Sequence, residues 1–155
     1  MFQGAISLNL DAKGRMAVPA RHRDALLAAT AEAEGRLVLT THPHRCLLLY
    51  PEPAWQPIRD QILAAPSFDP RSAAAKRVLV GNARDESMDG AGRLLIAPEL
   101  RDFAGFEKQV WLVGMGSHFE IWSDAGWKRQ HDMAFEALAG GEGNTPPPGF
   151  EGISL

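Results

Sequence analysis

The sequence predicts a mixed α+β fold, rich in β-structure, in which two similar units pack as one pseudo-twofold domain. The first observation behind this prediction is an internal repeat. Residues 11–19 and 89–98 both contain Asp-x-x-Gly-Arg, then an apolar run, then proline, with one extra residue in the second copy. The match continues downstream, because Trp55 and Trp127 each follow an aromatic strand residue by five positions. Two copies are too few for a solenoid, so a pseudo-twofold arrangement is the better interpretation.

The elements of the first unit follow from local patterns. Asp11 can bond the backbone that follows it and Gly14 is free to adopt a positive φ, so residues 11–14 are typical of a turn. Pro19 suits the first position of a helix. The predicted order is strand 5–10, turn 11–14, strand 16–18, a helix from Pro19 to about residue 35, and a hairpin of strands 37–41 and 46–50.

The second unit has the same predicted order. Its elements are strand 86–88, turn 89–92, strand 94–96, a short helix over 98–103, and strands 110–114 and 118–122. A helix is predicted after each hairpin, and after the first hairpin its apolar residues recur at helical spacing. Those residues are Trp55, Ile58 and Ile62.

Two further helix starts are marked by capping residues. Asp69 and Pro70 predict the N-cap and first position of a helix over residues 71–80. Ser123 is a good N-cap for a helix that residues 140–141, both glycine, would end. The predicted organisation is a first repeat over residues 1–70, a second repeat over residues 71–141 packed with the first as one domain, and a flexible tail over residues 142–155.

Composition limits the class of protein. The chain has 155 residues, of which 45% are hydrophobic and 23% are charged, the mixture of an ordinary globular domain rather than of a disordered chain. No long apolar window predicts a transmembrane helix, and the N-terminus has no pattern of a secretory signal, so we expect a cytoplasmic protein. Cys46 is the single cysteine and has no internal disulfide partner, which agrees with a reducing compartment.

The charge balance argues against tight DNA binding by a single subunit. The net charge is -3, but no lysine or arginine follows Arg129, whereas four acidic residues do. The rest of the chain is therefore close to neutral. Nucleic-acid binding would need a local basic patch, or the repetition of a small patch in an oligomer.

The two Asp-x-x-Gly-Arg turns are the strongest candidates for such a patch. In a structural interpretation, the aspartate shapes the turn and the arginine four residues later pins it through an ion pair. In a functional interpretation, Arg15 and Arg93 present planar guanidinium groups suited to phosphate or guanine. Lys13, Arg21 and Arg23 flank the first turn. The second turn has more acidic neighbours, so the first is the better predicted anion site.

Several motifs of the sequence resemble those of a known family. The start Met-Phe-Gln-Gly, the paired turns, Cys-Leu-Leu-Leu-Tyr-Pro at residues 46–51 and Asp-Gly-Ala-Gly-Arg-Leu-Leu-Ile at residues 89–96 are similar to those of the bacterial MraZ proteins. The resemblance covers the chain from Met1 to about residue 135. The pair of motifs at this separation is far more specific than either motif alone.

The resemblance implies a fold and a function. The fold would be two pseudo-symmetric AbrB-like (SpoVT-AbrB) swapped-hairpin units that form one β-barrel-like core with peripheral helices. The function would be DNA-binding transcriptional regulation of the division and cell-wall gene cluster, including the protein's own promoter. A ring-shaped homo-oligomer would bind short G-rich direct repeats there, in association with the nucleoid. The predicted DNA-binding residues are Lys13, Arg15, Arg21, Arg23 and Arg93, and the predicted turn-shaping residues are Asp11, Gly14, Asp89 and Gly92.

Two other functions stay open at this stage. One is a non-catalytic ring that scaffolds division components without DNA. The other is a metal-dependent enzyme at His42, His44 and Cys46, which would share one face of an extended strand, although Pro43 favours a turn and no fourth ligand lies nearby. We expect no enzyme activity, no metal, no cofactor, no membrane partner and no small-molecule substrate.

Overall fold

The computed structural model describes residues 1–139 and 145–154. The described strands are β1 (Phe2–Asn9), β2 (Arg15–Ala17), β3 (Leu37–Thr41), β4 (Leu47–Pro51), β5 (Arg84–Glu86), β6 (Arg93–Leu95), β7 (Gln109–Gly116) and β8 (Phe119–Ser123). The described helices are α1 (Ala20–Ala29), α2 (Glu52–Ala64), α3 (Pro70–Lys76), α4 (Pro98–Ala104) and α5 (Asp124–Ala139). The fold is therefore mixed α and β, with mostly antiparallel strands.

Six strands form one open sheet in the order β1-β7-β8-β4-β3-β5, and β2 pairs with β6 in a separate two-stranded ribbon. The sheet mixes the two parts of the chain, because β1 pairs along its whole length with β7, and β5 pairs with β3. The outer strands β1 and β5 are not paired with each other. Among the described strands there is thus no closed barrel, and the predicted barrel-like core is not confirmed.

Two apolar clusters lie on opposite faces of this sheet. Alternate residues of β4 divide between them, since Leu47 and Leu49 belong to the larger cluster and Leu48 and Tyr50 to the smaller. The larger cluster is closed by the ribbon, α1 and α4, whereas α2 brings Trp55 and α5 brings Trp127 to the smaller one. The ribbon is therefore held on the main core. None of the five described helices is long and apolar enough to span a membrane.

The predicted spacing of the repeat needs one correction. Both helices that follow the turns begin nine residues after the aspartate, α1 at Ala20 and α4 at Pro98. The second copy therefore has no extra residue. Pro98 occupies the first turn of α4, whereas Pro19 is the N-cap of α1 rather than its first helical residue. Pro19 and Pro98 are therefore not equivalent positions, and an alignment of the repeats that pairs them is wrong by one residue.

Most other predicted elements are present with shifted ends. The first strand begins at Phe2, α1 ends at Ala29 before a short 3-10 turn, and the strand predicted at 86–88 lies at Arg84–Glu86. The helix predicted over 71–80 is α-helical only to Lys76 and continues as one π-helical turn, Arg77–Gly81.

Both predicted N-caps are found. The side chain of Asp69 accepts a hydrogen bond from the Arg71 N–H (2.8 Å), and the Ser123 hydroxyl accepts one from the Gly126 N–H (2.9 Å). The predicted helix end at residues 140–141 lies outside the described residues, as do residues 142–144 and 155 of the predicted tail.

Candidate nucleic-acid interface

The first turn, residues 11–15, is organised by one carboxylate. Oδ1 of Asp11 accepts hydrogen bonds from the backbone N–H groups of Lys13 (3.0 Å) and Arg15 (2.9 Å), and Oδ2 accepts from Nε of Arg15 (2.7 Å). Gly14 has a φ of +83°, which glycine adopts without strain. Asp11 therefore shapes the turn and also orients the guanidinium of Arg15.

The second turn, residues 89–93, repeats this arrangement. Oδ1 of Asp89 accepts from the N–H groups of Ala91 and Arg93 at 2.9 Å each, and Oδ2 accepts from Nε of Arg93 at 2.8 Å. Gly92 has a φ of +76°. Asp89 therefore makes the same three hydrogen bonds in the second turn as Asp11 makes in the first.

The hydrogen bonds also affect the ionisation of both carboxyls. The backbone N–H of Arg15 is the largest cause that lowers the pKa of Asp11; desolvation opposes it, and hydrogen bonds from the Arg15 side chain and the Lys13 N–H lower the pKa further. Arg93 lowers the pKa of Asp89 in the same way. Both carboxyls are thus anionic at neutral pH, and each arginine keeps its partner.

The ribbon places the two arginines on one surface. Met16 opposes Leu94 and both are fully buried, so the residues on either side of them in the two strands point outward. Arg15 and Arg93 are diagonal neighbours across the strands, a relation in which backbones lie about 7–8 Å apart. Each engages its aspartate through Nε, and neither makes a hydrogen bond through its Nη atoms to any other described residue. Four Nη groups are therefore available to an external ligand.

The arginines of the following helices lie beneath the turns, but in a crossed manner. Arg23 of α1 packs against Gly92 of the second turn, and Arg101 of α4 packs against Gly14 of the first turn. The prediction assigned Arg23 to the first turn by its position in the sequence. Arg101 was missed as a site residue, although it follows Arg93 by the same eight residues that separate Arg23 from Arg15.

The remaining predicted residues differ in their distance from the ribbon. Lys13 is exposed on the first turn, where the second turn has Ala91. Arg21 points elsewhere: its Nη2 lies 3.5 Å from the carbonyl oxygen of Gln3, near the start of β1, whereas the first turn follows the end of β1. The structure therefore brings Lys13, Arg15, Arg93 and Arg23 together, but not Arg21.

The alternative metal site is not assembled. Cys46 is fully buried in the smaller apolar cluster, and burial raises the pKa of its thiol to about 12. His42 and His44 contact each other with ring centroids 4.9 Å apart, and Nδ1 of His42 accepts a hydrogen bond from the His44 N–H. Within residues 1–139 and 145–154, no three His, Cys, Asp or Glu side chains are grouped as metal ligands.

Comparison with known proteins assigns the chain to a family. The model of the family "MraZ protein, putative antitoxin-like" matches residues 1–78 and 79–139. A protein named "Transcriptional regulator MraZ" from Dechloromonas aromatica (strain RCB) is 71% identical over 155 residues, covering 100% of both chains.

Two further relatives have the same name and the same full coverage. The protein of Aromatoleum aromaticum (strain DSM 19018 / LMG 30748 / EbN1) is 59% identical, and that of Methylobacillus flagellatus (strain ATCC 51484 / DSM 6875 / VKM B-1610 / KT) is 60% identical, each over 155 residues. This similarity extends through the C-terminal residues. The chain therefore belongs to the MraZ family, a family of transcriptional regulators and not of enzymes.

Proposed function

We propose that this chain is a sequence-specific DNA-binding transcriptional regulator that contacts duplex DNA through its ribbon. We call the contacting surface the turn face, comprising residues 11–17 and 89–95. The observation that carries the proposal is the pair Arg15 and Arg93, held by aspartates on the exposed side of an antiparallel two-stranded ribbon with their Nη groups free. The major groove of B-DNA admits such a ribbon, and arginine forks pair with guanine O6 and N7.

The charge of the turn face supports this role although the whole chain carries -3. The turns and the two arginines beneath them bring five basic side chains together against the two turn aspartates. The basic residues are Lys13, Arg15, Arg23, Arg93 and Arg101. In the proposed complex Arg15 and Arg93 contact base edges or phosphate, and Lys13 neutralises a phosphate. Arg21 contributes only if DNA extends toward the start of β1.

The proposed target follows from the family resemblance. We assign to this chain the regulation of the division and cell-wall gene cluster, including its own promoter, through short direct repeats and in association with the nucleoid. One turn face is small, so several subunits would have to act together on repeated sites. Each bound subunit then raises the effective concentration of the next.

Self-association is the second part of the proposal. Strand β1 is an eight-residue edge with one side unpaired among the described strands, and long free edges readily pair with another chain. The last nine residues of α5, residues 131–139, are all exposed. They include Met133, Phe135 and Leu138, whose burial in a ring-shaped homo-oligomer would remove apolar surface from water.

A swapped-hairpin architecture is the third part of the proposal. The exchange of β1 and β5 between the two parts of the sheet supports the swapped-hairpin, pseudo-twofold arrangement. The proposed repeats comprise residues 1–70 and 71–141. The hydroxyls of Thr40 and Thr41 donate hydrogen bonds to the carbonyls of Leu79 and Val78, respectively. The residues just after this boundary thus pack on the first repeat.

The test is electrophoretic binding to DNA from upstream of the protein's own gene, with a shuffled fragment as competitor. We expect selective retardation by the wild-type chain. Arg15→Ala should weaken binding by about 1–3 kcal/mol per engaged site, and Arg93→Ala less, because the second turn lacks a lysine. Arg129→Ala, which removes one charge from exposed α5, is the matched control. Equal binding by Arg15→Ala and Arg129→Ala in folded protein would refute the proposal, and unaltered oligomers without DNA binding would favour the scaffold function.

A further inference from the structure

Each turn glycine is covered by an arginine from the other repeat. A Cβ atom built on Gly14 would lie 2.6 Å from Cζ and 2.7 Å from Nε of Arg101. A Cβ built on Gly92 would collide in the same way with the guanidinium of Arg23. Both glycines are buried in spite of lying in exposed turns. The space that glycine leaves open is therefore filled by a guanidinium group.

Both arginines are fixed by hydrogen bonds at the crossing point. Nε of Arg101 donates to the carbonyl oxygen of Ile96 (3.0 Å), and the N–H of Ile96 donates to the carbonyl of Gly14 (3.0 Å). In the equivalent contacts, Nη2 of Arg23 donates to the carbonyl of Val18 (3.1 Å), and the N–H of Val18 donates to the carbonyl of Gly92 (3.0 Å). Backbone hydrogen bonds and the packing of the arginine side chains thus join each turn to the segment that follows the other turn.

We infer that Arg101 and Arg23 are positioning residues, each of which sets the shape of the DNA-contacting turn in the opposite repeat. Arg101 supports the first turn, and Arg23 supports the second. The inference rests on the proposed function of the turns. The inference couples the two turns, because loss of one arginine disturbs a turn that is distant in sequence but adjacent across the ribbon. Arg101 is 87 positions from Gly14, and Arg23 is 69 positions from Gly92.

The two supports are not equal. Nε of Arg101 is hydrogen-bonded, whereas Nε of Arg23 is buried and has no partner among the described residues. The guanidinium beneath the first turn is therefore the better satisfied of the two. Its removal should have the larger effect, on the turn that also contains Lys13.

This role requires a planar group rather than a charge alone. A guanidinium fits flat beneath the glycine while one of its nitrogens bonds a carbonyl, and the compact ammonium of lysine cannot reproduce that geometry. An arginine that merely neutralised a phosphate would tolerate lysine. Arg101→Lys therefore separates positioning from direct phosphate contact.

The first measurement is hydrogen exchange of the turn amides in the full-length protein without DNA. Arg101→Ala should speed exchange within residues 11–15 by about tenfold and leave residues 89–93 nearly unchanged, while Arg23→Ala should do the reverse. Arg101→Lys should behave like Arg101→Ala, and Arg129→Ala like the wild type. Arg101→Met, which retains the apolar stem, replaces Arg101→Ala if that variant does not fold. Faster exchange confined to residues 89–93 in the Arg101 variants would overturn the inference.

The second measurement is a double-mutant cycle on DNA affinity. If Arg101 acts through the first turn, the affinity loss of Arg15→Ala combined with Arg101→Ala is smaller than the product of the two single losses. The combination of Arg93→Ala with Arg101→Ala should be multiplicative. Multiplicative losses in the first pair, or full rescue by Arg101→Lys, would overturn the inference. If Arg15→Ala alone leaves DNA affinity unchanged, the proposed DNA-binding function is refuted instead. The hydrogen-exchange pattern would then still test whether Arg101 and Arg23 position the turns.

Discussion

At the scale of single residues, the turn aspartates link the geometry of the backbone to the charge of the surface. Each carboxylate accepts hydrogen bonds from two backbone N–H groups and one arginine Nε, so protonation would weaken all three by removing the negative charge. The same contacts hold Arg15 and Arg93 in place before any ligand arrives. A preorganised side chain loses less conformational freedom on binding than a mobile one.

The carboxyls of Asp11 and Asp89 should therefore titrate below their ordinary value of 3.8. Because the folded pKa is lower than the unfolded pKa, their stabilising effect is complete above about pH 3.8 and is lost as the pH falls through the folded value. Carboxyl-carbon NMR titration measures both values directly. Titration of Asp11 at or above 3.8 would contradict these contacts.

Lys13 distinguishes the two turns, and salt dependence tests its role. If Lys13 neutralises a DNA phosphate, Lys13→Ala should flatten the slope of log affinity against log salt by about one unit for each phosphate that is no longer neutralised. Ala91→Lys is the matched variant, since it introduces lysine at the equivalent position of the second turn, and it should steepen the slope. Unchanged salt slopes in both variants would show that Lys13 does not contact a DNA phosphate.

The turn residues could be predicted because their chemistry is local. Aspartate, glycine and arginine within five positions determine the hydrogen bonds of the turn, so Asp11 and Arg15 were identified from the sequence. The roles of Arg23 and Arg101 could not be found that way. Their partners depend on the pairing of β2 with β6, which places the helix after one turn beneath the other.

At the scale of elements, the limits of the fully buried strands β3 and β4 were predicted to within one residue, whereas the start of the exposed edge strand β1 was predicted three residues late. All five residues of β3 are buried, and its predicted limits, 37–41, are those observed. Strand β1 was predicted to begin at residue 5, because Gln3 and Gly4 carry no apolar signal on an exposed edge. The π-helical turn after α3 was missed, since its position is fixed by tertiary hydrogen bonds from β3 to the carbonyls of Val78 and Leu79.

The ribbon should derive its stability from its buried side. Leu94 is fully buried at the centre of β6, whereas its neighbour Leu95 is 49% exposed on the turn face. Leu94→Ala should lower the free energy of unfolding by about 2–5 kcal/mol, because it removes buried apolar atoms and leaves a cavity. Leu95→Ala should change it by about 0.5 kcal/mol or less, as surface substitutions do. Urea denaturation of both variants measures the difference, and equal losses would show that the two sides of the ribbon are misassigned.

At the scale of the whole molecule, charge and apolar exposure point to the same requirement. A chain with net charge -3 can bind DNA tightly only if several small basic surfaces act together. The chain also exposes apolar side chains at the end of α5, where Phe135 is 64% and Leu138 is 73% exposed. Burial of this surface between subunits would supply the multiple turn faces that the proposed operator needs.

Phe135→Ser should therefore lower the molar mass measured by light scattering without unfolding the subunit. The side chain of Phe135 contacts the His131 ring on the exposed surface of α5 and is absent from both apolar clusters, so the fold should survive its loss. Glu136→Ala changes the adjacent exposed residue and serves as the control. DNA affinity should fall together with the molar mass, although the turn face is unaltered, because subunits no longer raise one another's effective concentration. A wild-type molar mass for Phe135→Ser would exclude this end of α5 from the subunit contact, and a wild-type chain that is monomeric at micromolar concentration would contradict cooperative binding to repeated sites.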